Sequence, residues 1–362
     1  MRIGILLSHP AQFLFYKNII SELRQNGHEV FILIKSKDIL STLLEQYGWI
    51  YHNILLTERG NSKLQIFLSL IKRIFKIWRF AKIKKLNILA GTDASIAIVG
   101  KMLYIPCLTT IEDDYEVIKN LARLTYPFSS YIIAPENCTV DKWHYKKIAY
   151  SGFMKLAYLH PIRFTPDINK IKFNSSKPYA IIRLSKLKAH HDFGINGIDF
   201  QLLDSIIFLL SIYVDVYISS EKELPQKYWN YKLNILESDI HHYLYYAQIL
   251  ISDSQSMSVE AAMLGTPSIR YNDFSGRISV LEELEHKYHL TFGIKTGNPE
   301  SFIEKIKKFI QTPNLKEVFQ KRRQLMLADK IDVTAFMVWF IENYPQSAKT
   351  MKENPDFQYN FR

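Results

Sequence analysis

Five small or polar residues, Ser252-Asp253-Ser254-Gln255-Ser256, interrupt an otherwise apolar stretch at 249–271. Hydroxyls and backbone N–H groups gathered at the start of a helix suit a phosphate, because the helix dipole and its unsatisfied N–H groups both favour negative charge there. Met257 continues that first turn, and Glu260 follows Ser256 by one helical turn on the same face. A carboxylate in that place reaches a ribose attached to the phosphate. The flanking pattern supports the turn. Ile249-Leu250-Ile251 is long enough for a buried strand and too short for a helix. Helical spacing runs from Met257 to Leu264 and stops at Gly265, with Pro267 beyond it. Ser268-Ile269-Arg270 then opens a second strand, which puts Arg270 at the far end of the same βαβ unit. An ordinary Ser-capped helix carries the same local pattern.

Other reactive side chains also fall just after apolar runs. Asp93 follows Ile88-Leu89-Ala90, Glu112 follows Cys107-Leu108-Thr109-Thr110, and Ser220 closes the run at 214–219. Ligands of open α/β sheets sit outside the carboxyl ends of strands. Two carboxylates there can act as a general base or hold ribose and sugar hydroxyls. Helix capping by Asp93 is the plain alternative. His190 and His191 lie in a loop, and adjacent histidines lack the spacing of zinc ligands on a helix. No metal site is therefore expected. One of the pair is placed to contact a diphosphate or to exchange a proton.

The elements that must carry these residues alternate between strand and helix along 362 residues, which predicts two α/β domains. Boundaries are expected at 1–165 for the first domain, 166–178 for a polar, turn-rich linker and 179–330 for the second. Residues 331–362 are expected to form an apolar helix, at 332–343, and a loose polar tail. Hydrophobic residues make up 48% and charged residues 22%, as in a globular protein. The two cysteines make neither a metal nor a disulfide pattern, so a reducing compartment is expected. The chain opens directly on strand-forming residues, and no run of roughly 18 apolar residues occurs. The first βαβ unit lacks G-x-G-x-x-G, and the chain does not read as a dehydrogenase.

A net charge of +11 calls for an anionic partner. Residues 63–88 carry eight lysines and arginines, from Lys63 to Lys85, and no acid. Leu64, Phe67, Leu68, Ile71, Phe75 and Trp78 line one side at helical spacing, while Lys72, Lys76 and Arg79 share another. A basic amphipathic helix of this kind reads as a binder of anionic membrane surface. A helix packed on the sheet with a solvated basic side is the alternative, and the two are compatible. Because the basic residues concentrate on an apolar helix and no nucleic-acid-binding motif is present, nucleic acid is not an expected partner.

The segments SHPAQFLFYKNII (8–20), LTYPF (124–128), YSGFMKLAYLHPIRFTPD (150–167), AHHDFG (189–194), SDSQSMSVEAAMLGTP (252–267) and RYNDFSGRISVLEEL (270–284) span nearly the whole chain. Together they resemble an uncharacterised prokaryotic family of GT-B-like proteins, the domain of unknown function numbered 354. The Ser turn with Glu260 and Leu264-Gly265-Thr266-Pro267 also resembles the nucleotide-binding turn of the non-hydrolysing UDP-N-acetylglucosamine 2-epimerases. That resemblance implies two Rossmann-like α/β/α domains with an interdomain cleft. It implies diphosphate contacts from Ser254, Ser256 and the backbone, and a ribose contact from Glu260. Asp93 and Glu112 match two epimerase carboxylates in placement, and His190 or His191 the interdomain histidine. Two departures stand out. His9 replaces an arginine that meets the nucleotide, and Ile118-Lys119 occupies the place of a third carboxylate.

The leading expectation is a glycosyltransferase of surface-polysaccharide or glycoconjugate assembly. It would use a nucleotide sugar, UDP-linked, as substrate and need no cofactor or metal. Glu112 or Asp93 would serve as base. His9, Ser220, Ser254, Gln255, Ser256, Met257, Glu260 and Arg270 would hold the donor. A lipid-linked or glycan acceptor would be met at the cytoplasmic face of the plasma membrane, to which the protein is peripheral. A 2-epimerase-like enzyme in solution and a non-catalytic nucleotide-sugar-binding subunit are the two alternatives.

Overall fold

The first strand, Arg2–Leu7 (β1), is buried along almost its whole length, so both of its faces need cover. The computed structural model of the chain describes residues 1–35, 39–55, 62–173, 177–186 and 196–362. In it β1 is followed by Pro10–Gln25 (α1), Glu29–Ile34 (β2), Ile39–Gln46 (α2), Tyr51–Asn53 (β3) and Lys63–Lys84 (α3). Ile88–Gly91 (β4), Ala94–Leu103 (α4), Cys107–Thr110 (β5) and Lys119–Thr125 (α5) come next. Tyr131–Pro135 (β6), Lys147–Tyr150 (β7) and the short Leu156–Leu159 (α6) complete this stretch. All seven strands are parallel, in the order β3-β2-β1-β4-β5-β6-β7. The order reverses between β1 and β4, where the loops after the two strands diverge to opposite faces.

The chain then forms Tyr179–Leu184 (β8), Phe200–Ser211 (α7), Asp215–Ser220 (β9), Ile240–Tyr246 (α8) and Ile249–Ser252 (β10). Gln255–Leu264 (α9), Ser268–Tyr271 (β11), Ser279–His286 (α10), Phe292–Ile294 (β12), Pro299–Ile310 (α11) and Leu315–Asp329 (α12) follow. This second sheet is also parallel, in the order β12-β11-β10-β8-β9. Its switch point lies between β8 and β10.

The chain divides into one compact unit of Met1–Tyr158 with Lys330–Arg362, and another of Leu159–Asp329. The division at Tyr158/Leu159 precedes the boundary expected at 165, and the chain's last residues return to the first unit. There Val333–Glu342 (α13) starts on an Asp332 cap that accepts from Thr334 and Ala335 N–H, and it packs against α1. The expectation of a loose tail is corrected. Gln346–Glu353 (α14) and a 3₁₀ turn at Pro355–Phe361 are packed, with Met351 and Gln358 buried. Gln358 Oε1 accepts from Ser151 N–H at 2.5 Å, and the Phe357 ring stacks on Trp339 at 4.8 Å.

Helix α3 carries apolar residues on every side, and the structure decides which side is inside. Ile77 and Ala81 pack into a cluster with Leu6, Leu33 and Leu89 of the sheet. Ile74, Trp78 and Phe80 are half-buried against the same cluster. The opposite side is exposed.

Candidate functional site

In the second unit, strand β10 delivers the chain into the serine-rich turn. Ser252 Oγ accepts from Ser254 N–H at 2.7 Å and so fixes the turn. Ser254 caps α9, accepting from Met257 N–H at 3.4 Å, and Gly265 ends the helix in the left-handed region at φ 67°. Helix α9 is buried from Met257 to Leu264, whereas Ser254 and Gln255 are half-buried and Ser256 is exposed. Its open first turn thus stands at the carboxyl edge of the sheet. Glu260 is buried one turn further on, with His241 Nε2 of α8 at 3.5 Å from its Oε1.

Asp253 knits the strand ends together. Its Oδ1 accepts from Ser185 N–H, just beyond β8, at 2.6 Å. Its carbonyl accepts from Asn272 Nδ2, just beyond β11, at 3.0 Å. Lys222, beyond β9, places Nζ 3.7 Å from its Oδ2. Burial pushes the Asp253 carboxyl above the ordinary range, against the pull of the Ser185 N–H and Lys222. Ser220 is half-buried and closes a local turn, its Oγ donating to Lys222 C=O and accepting from Lys222 N–H. The sequence reading missed Asp253 and Lys222. A signal was available for the first, since an acid inside an otherwise neutral phosphate-binding turn needs a reason.

Arg270 departs from expectation. It is fully buried, with Nη2 3.0 Å from Glu285 Oε2 of α10, so no part of it is open to a diphosphate. Gly293 N–H donates to the same Glu285 oxygen at 2.9 Å, and the pair braces β11 and β12 against α10. His190 and His191 lie outside the described residues.

In the first unit, the carboxyl edge of the sheet gathers both predicted carboxylates. Glu112 follows β5. Its Oε2 is 2.5 Å from Lys155 Nζ, and its Oε1 accepts from Met154 N–H at 2.6 Å. Both side chains are about nine-tenths enclosed. Each carboxylate oxygen keeps a second lone pair for a further donor. Lys155 was not singled out from the sequence, although it stands in the segment 150–167 that carries the family resemblance.

Asp93 follows β4 and caps α4, accepting from Ser95 N–H at 2.9 Å and Ser95 Oγ at 2.5 Å. Its other oxygen lies 3.3 Å from Lys35 Nζ and 3.7 Å from Arg73 Nη1. Burial alone would raise its carboxyl. The charges of Lys35 and Arg73 and the Ser95 hydrogen bonds outweigh it and hold the group below its ordinary 3.8. Asp93 is thus committed to the fold on both oxygens. His9 is exposed beyond β1 and caps α1, its Nδ1 accepting from Ala11 N–H at 3.2 Å. Among the described residues no group of three or more His, Cys, Asp or Glu side chains gathers as a metal site would.

The sequence profile of a family described as a protein of unknown function, DUF354, matches residues 1–280. The chain belongs to the DUF354 family. No curated protein matches it by sequence. The DUF354 chain does match solved structures in fold. A Staphylococcus aureus MnaA structure with UDP aligns at TM-score 0.68 and 11% identity, over 96% of this chain and 97% of that one. The UDP-GlcNAc 2-epimerase of Neisseria meningitidis bound to UDP-GlcNAc aligns at 0.67 and 17%, over 94% and 99%. The spinosyn rhamnosyltransferase SpnG, with spinosyn aglycone, aligns at 0.62 and 13%, over 95% and 100%. The DUF354 protein therefore has a GT-B-like fold of two Rossmann-like α/β units, as the sequence predicts. At these identities the likeness speaks for the fold alone.

Proposed function

We propose that this DUF354 protein is a glycosyltransferase that takes a nucleotide sugar, UDP-linked, as donor. The observation that carries the reading is the open first turn of α9 at the strand-end edge of the second unit. Its Ser254 hydroxyl and first-turn N–H groups offer partners for a diphosphate, and Glu260 stands one turn on for a ribose. Gln255, Ser256 and Met257 supply the remaining contacts, with Ser220 at a strand end of the same sheet and His9 assigned to the donor from a strand end of the first unit. In the first unit, Glu112 accepts the proton of the acceptor hydroxyl, and Lys155 orients the carboxylate. The acceptor oxygen bonds to the anomeric carbon as the bond from that carbon to the diphosphate breaks. The electron pair leaves with the diphosphate, where α9 compensates the growing charge. Either of His190 and His191 is assigned to the same diphosphate. The acceptor is a lipid-linked or other glycan of surface-polysaccharide or glycoconjugate assembly.

The epimerase-like reading rests on the sequence resemblance, in which Asp93 and Glu112 match two epimerase carboxylates in placement. Epimerisation by elimination and re-addition needs acid and base groups on both faces of the sugar. Asp93 is held by a helix cap and two cations, and Ile118-Lys119 stands where a third acid is needed, which weighs against it. The test is transfer of labelled sugar from UDP-sugars to membrane lipid and glycan extracts. Label should move with the wild-type protein and stop with Glu112→Gln. Transfer unaffected by Glu112→Gln removes the assigned base, and binding of UDP-sugars with no transfer to any extract favours the non-catalytic subunit.

A further inference from the structure

We propose that the outward side of α3 seats the protein on an anionic phospholipid bilayer. Three observations carry this. Leu64, Phe67, Leu68, Ile71 and Phe75 are exposed by 66%, 57%, 49%, 47% and 60%, and at a helical 100° per residue they fall in one continuous stripe. The helix needs none of them for the core, because Ile77 and Ala81 on another side already fill the contact with the sheet. Exposed Lys72, Lys76 and Arg79 flank the C-terminal end of the stripe on one side, and no acid occurs anywhere in 63–88.

An apolar stripe whose centre lies roughly 115° around the helix from Ile77 and Ala81, bordered on one flank by cations, matches a helix lying in the plane of a membrane interface. There the rings sink about 5–10 Å into the acyl boundary while the cations meet lipid phosphates. Charge decides between occupants. A second copy of the chain would bring cation against cation across the contact, whereas an anionic surface complements every charged group there. Phosphate groups of a nucleic acid would leave the central apolar stripe without a partner. The face is presented by an ordered element, since Ser62 and Gln65 form a reciprocal capping box at its start and Arg73 binds Asp93 from its inner side. The same ion pair sets α3 beside the strand-end edge that carries Glu112. The proposal stands independently of the transferase reading, because lipid binding needs no substrate.

Sedimentation of the full chain with vesicles tests it. Wild type should pellet with phosphatidylglycerol vesicles, remain in solution with phosphatidylcholine vesicles, and be released by salt. Phe67→Ser with Phe75→Ser should weaken pelleting about tenfold or more, as should Lys72→Glu with Lys76→Glu, each lost cation counting about fivefold. All four positions are exposed, and circular dichroism checks that both variants fold. Failure of wild type to pellet with phosphatidylglycerol overturns the proposal, as does pelleting of both variants at the wild-type level. A dimer in solution that the phenylalanine variant dissolves gives the face to a second copy and overturns it as well.

Discussion

Lys155 Nζ stands 2.5 Å from Glu112 Oε2, and the neighbouring Met154 N–H holds Glu112 Oε1 at 2.6 Å. A carboxylate clamped on both oxygens by consecutive residues cannot rotate away from the strand-end edge. That rigidity is what a general base needs, because proton transfer depends on geometry before basicity. Glu112→Gln should lower turnover by about 10²–10⁴-fold with little change in donor affinity. Lys155→Ala should lower kcat less than Glu112→Gln does and leave the donor KM nearly unchanged, with Lys155→Arg restoring part of the loss. Steady-state kinetics of the variants check this; a lysine acting only in the fold would lower stability and leave kcat of the folded protein in place.

Ser254→Ala removes both a helix cap and a candidate diphosphate contact. It should cost about 1 kcal/mol of stability and weaken UDP binding by about tenfold or more, since a hydrogen bond to a charged group is worth about 1.5–3 kcal/mol. Calorimetry and thermal unfolding read the two effects separately.

The sequence shows the strands and the α9 turn because its periodicity changes there and Ser, Gly and Pro punctuate the change. It could not show the Lys155 partner of Glu112, which lies 43 residues away in the chain. Arg270 reads as a donor-binding cation because residue type alone says nothing of depth; only the fold brings Glu285 beside it. Helix α12 went unseen because its buried residues Leu315, Phe319 and Met326 are sparse among charges. The tail read as loose since its composition is polar, yet Phe357 and Phe361 anchor it on Trp339.

Asp93 links pH to the stability of the first unit. Its carboxyl is held below the ordinary value, so the ionised form stabilises the fold fully above the unfolded pKa. That contribution is lost as pH falls from 3.8 through the lower folded value. Asp93→Asn leaves Arg73 buried without its anion and should cost about 3 kcal/mol at neutral pH. The difference from wild type should shrink below the ordinary carboxylate range, as seen in urea unfolding at several pH values.

Gly265→Ala places a Cβ 2.7 Å from Gln320 Nε2 at a φ of 67°. A left-handed alanine should cost about 1–2 kcal/mol, with nucleotide affinity of the folded protein unchanged. A Tm shift without a change in Kd is the expected result.

The most direct test of the account is NMR of the pure protein with UDP-N-acetylglucosamine and other UDP-sugars in the absence of acceptor. The account predicts that a UDP-sugar binds, more weakly to Ser254→Ala, and that its sugar remains chemically unchanged. Appearance of a 2-epimer, or of free UDP with a glycal, would contradict it and establish the epimerase chemistry instead.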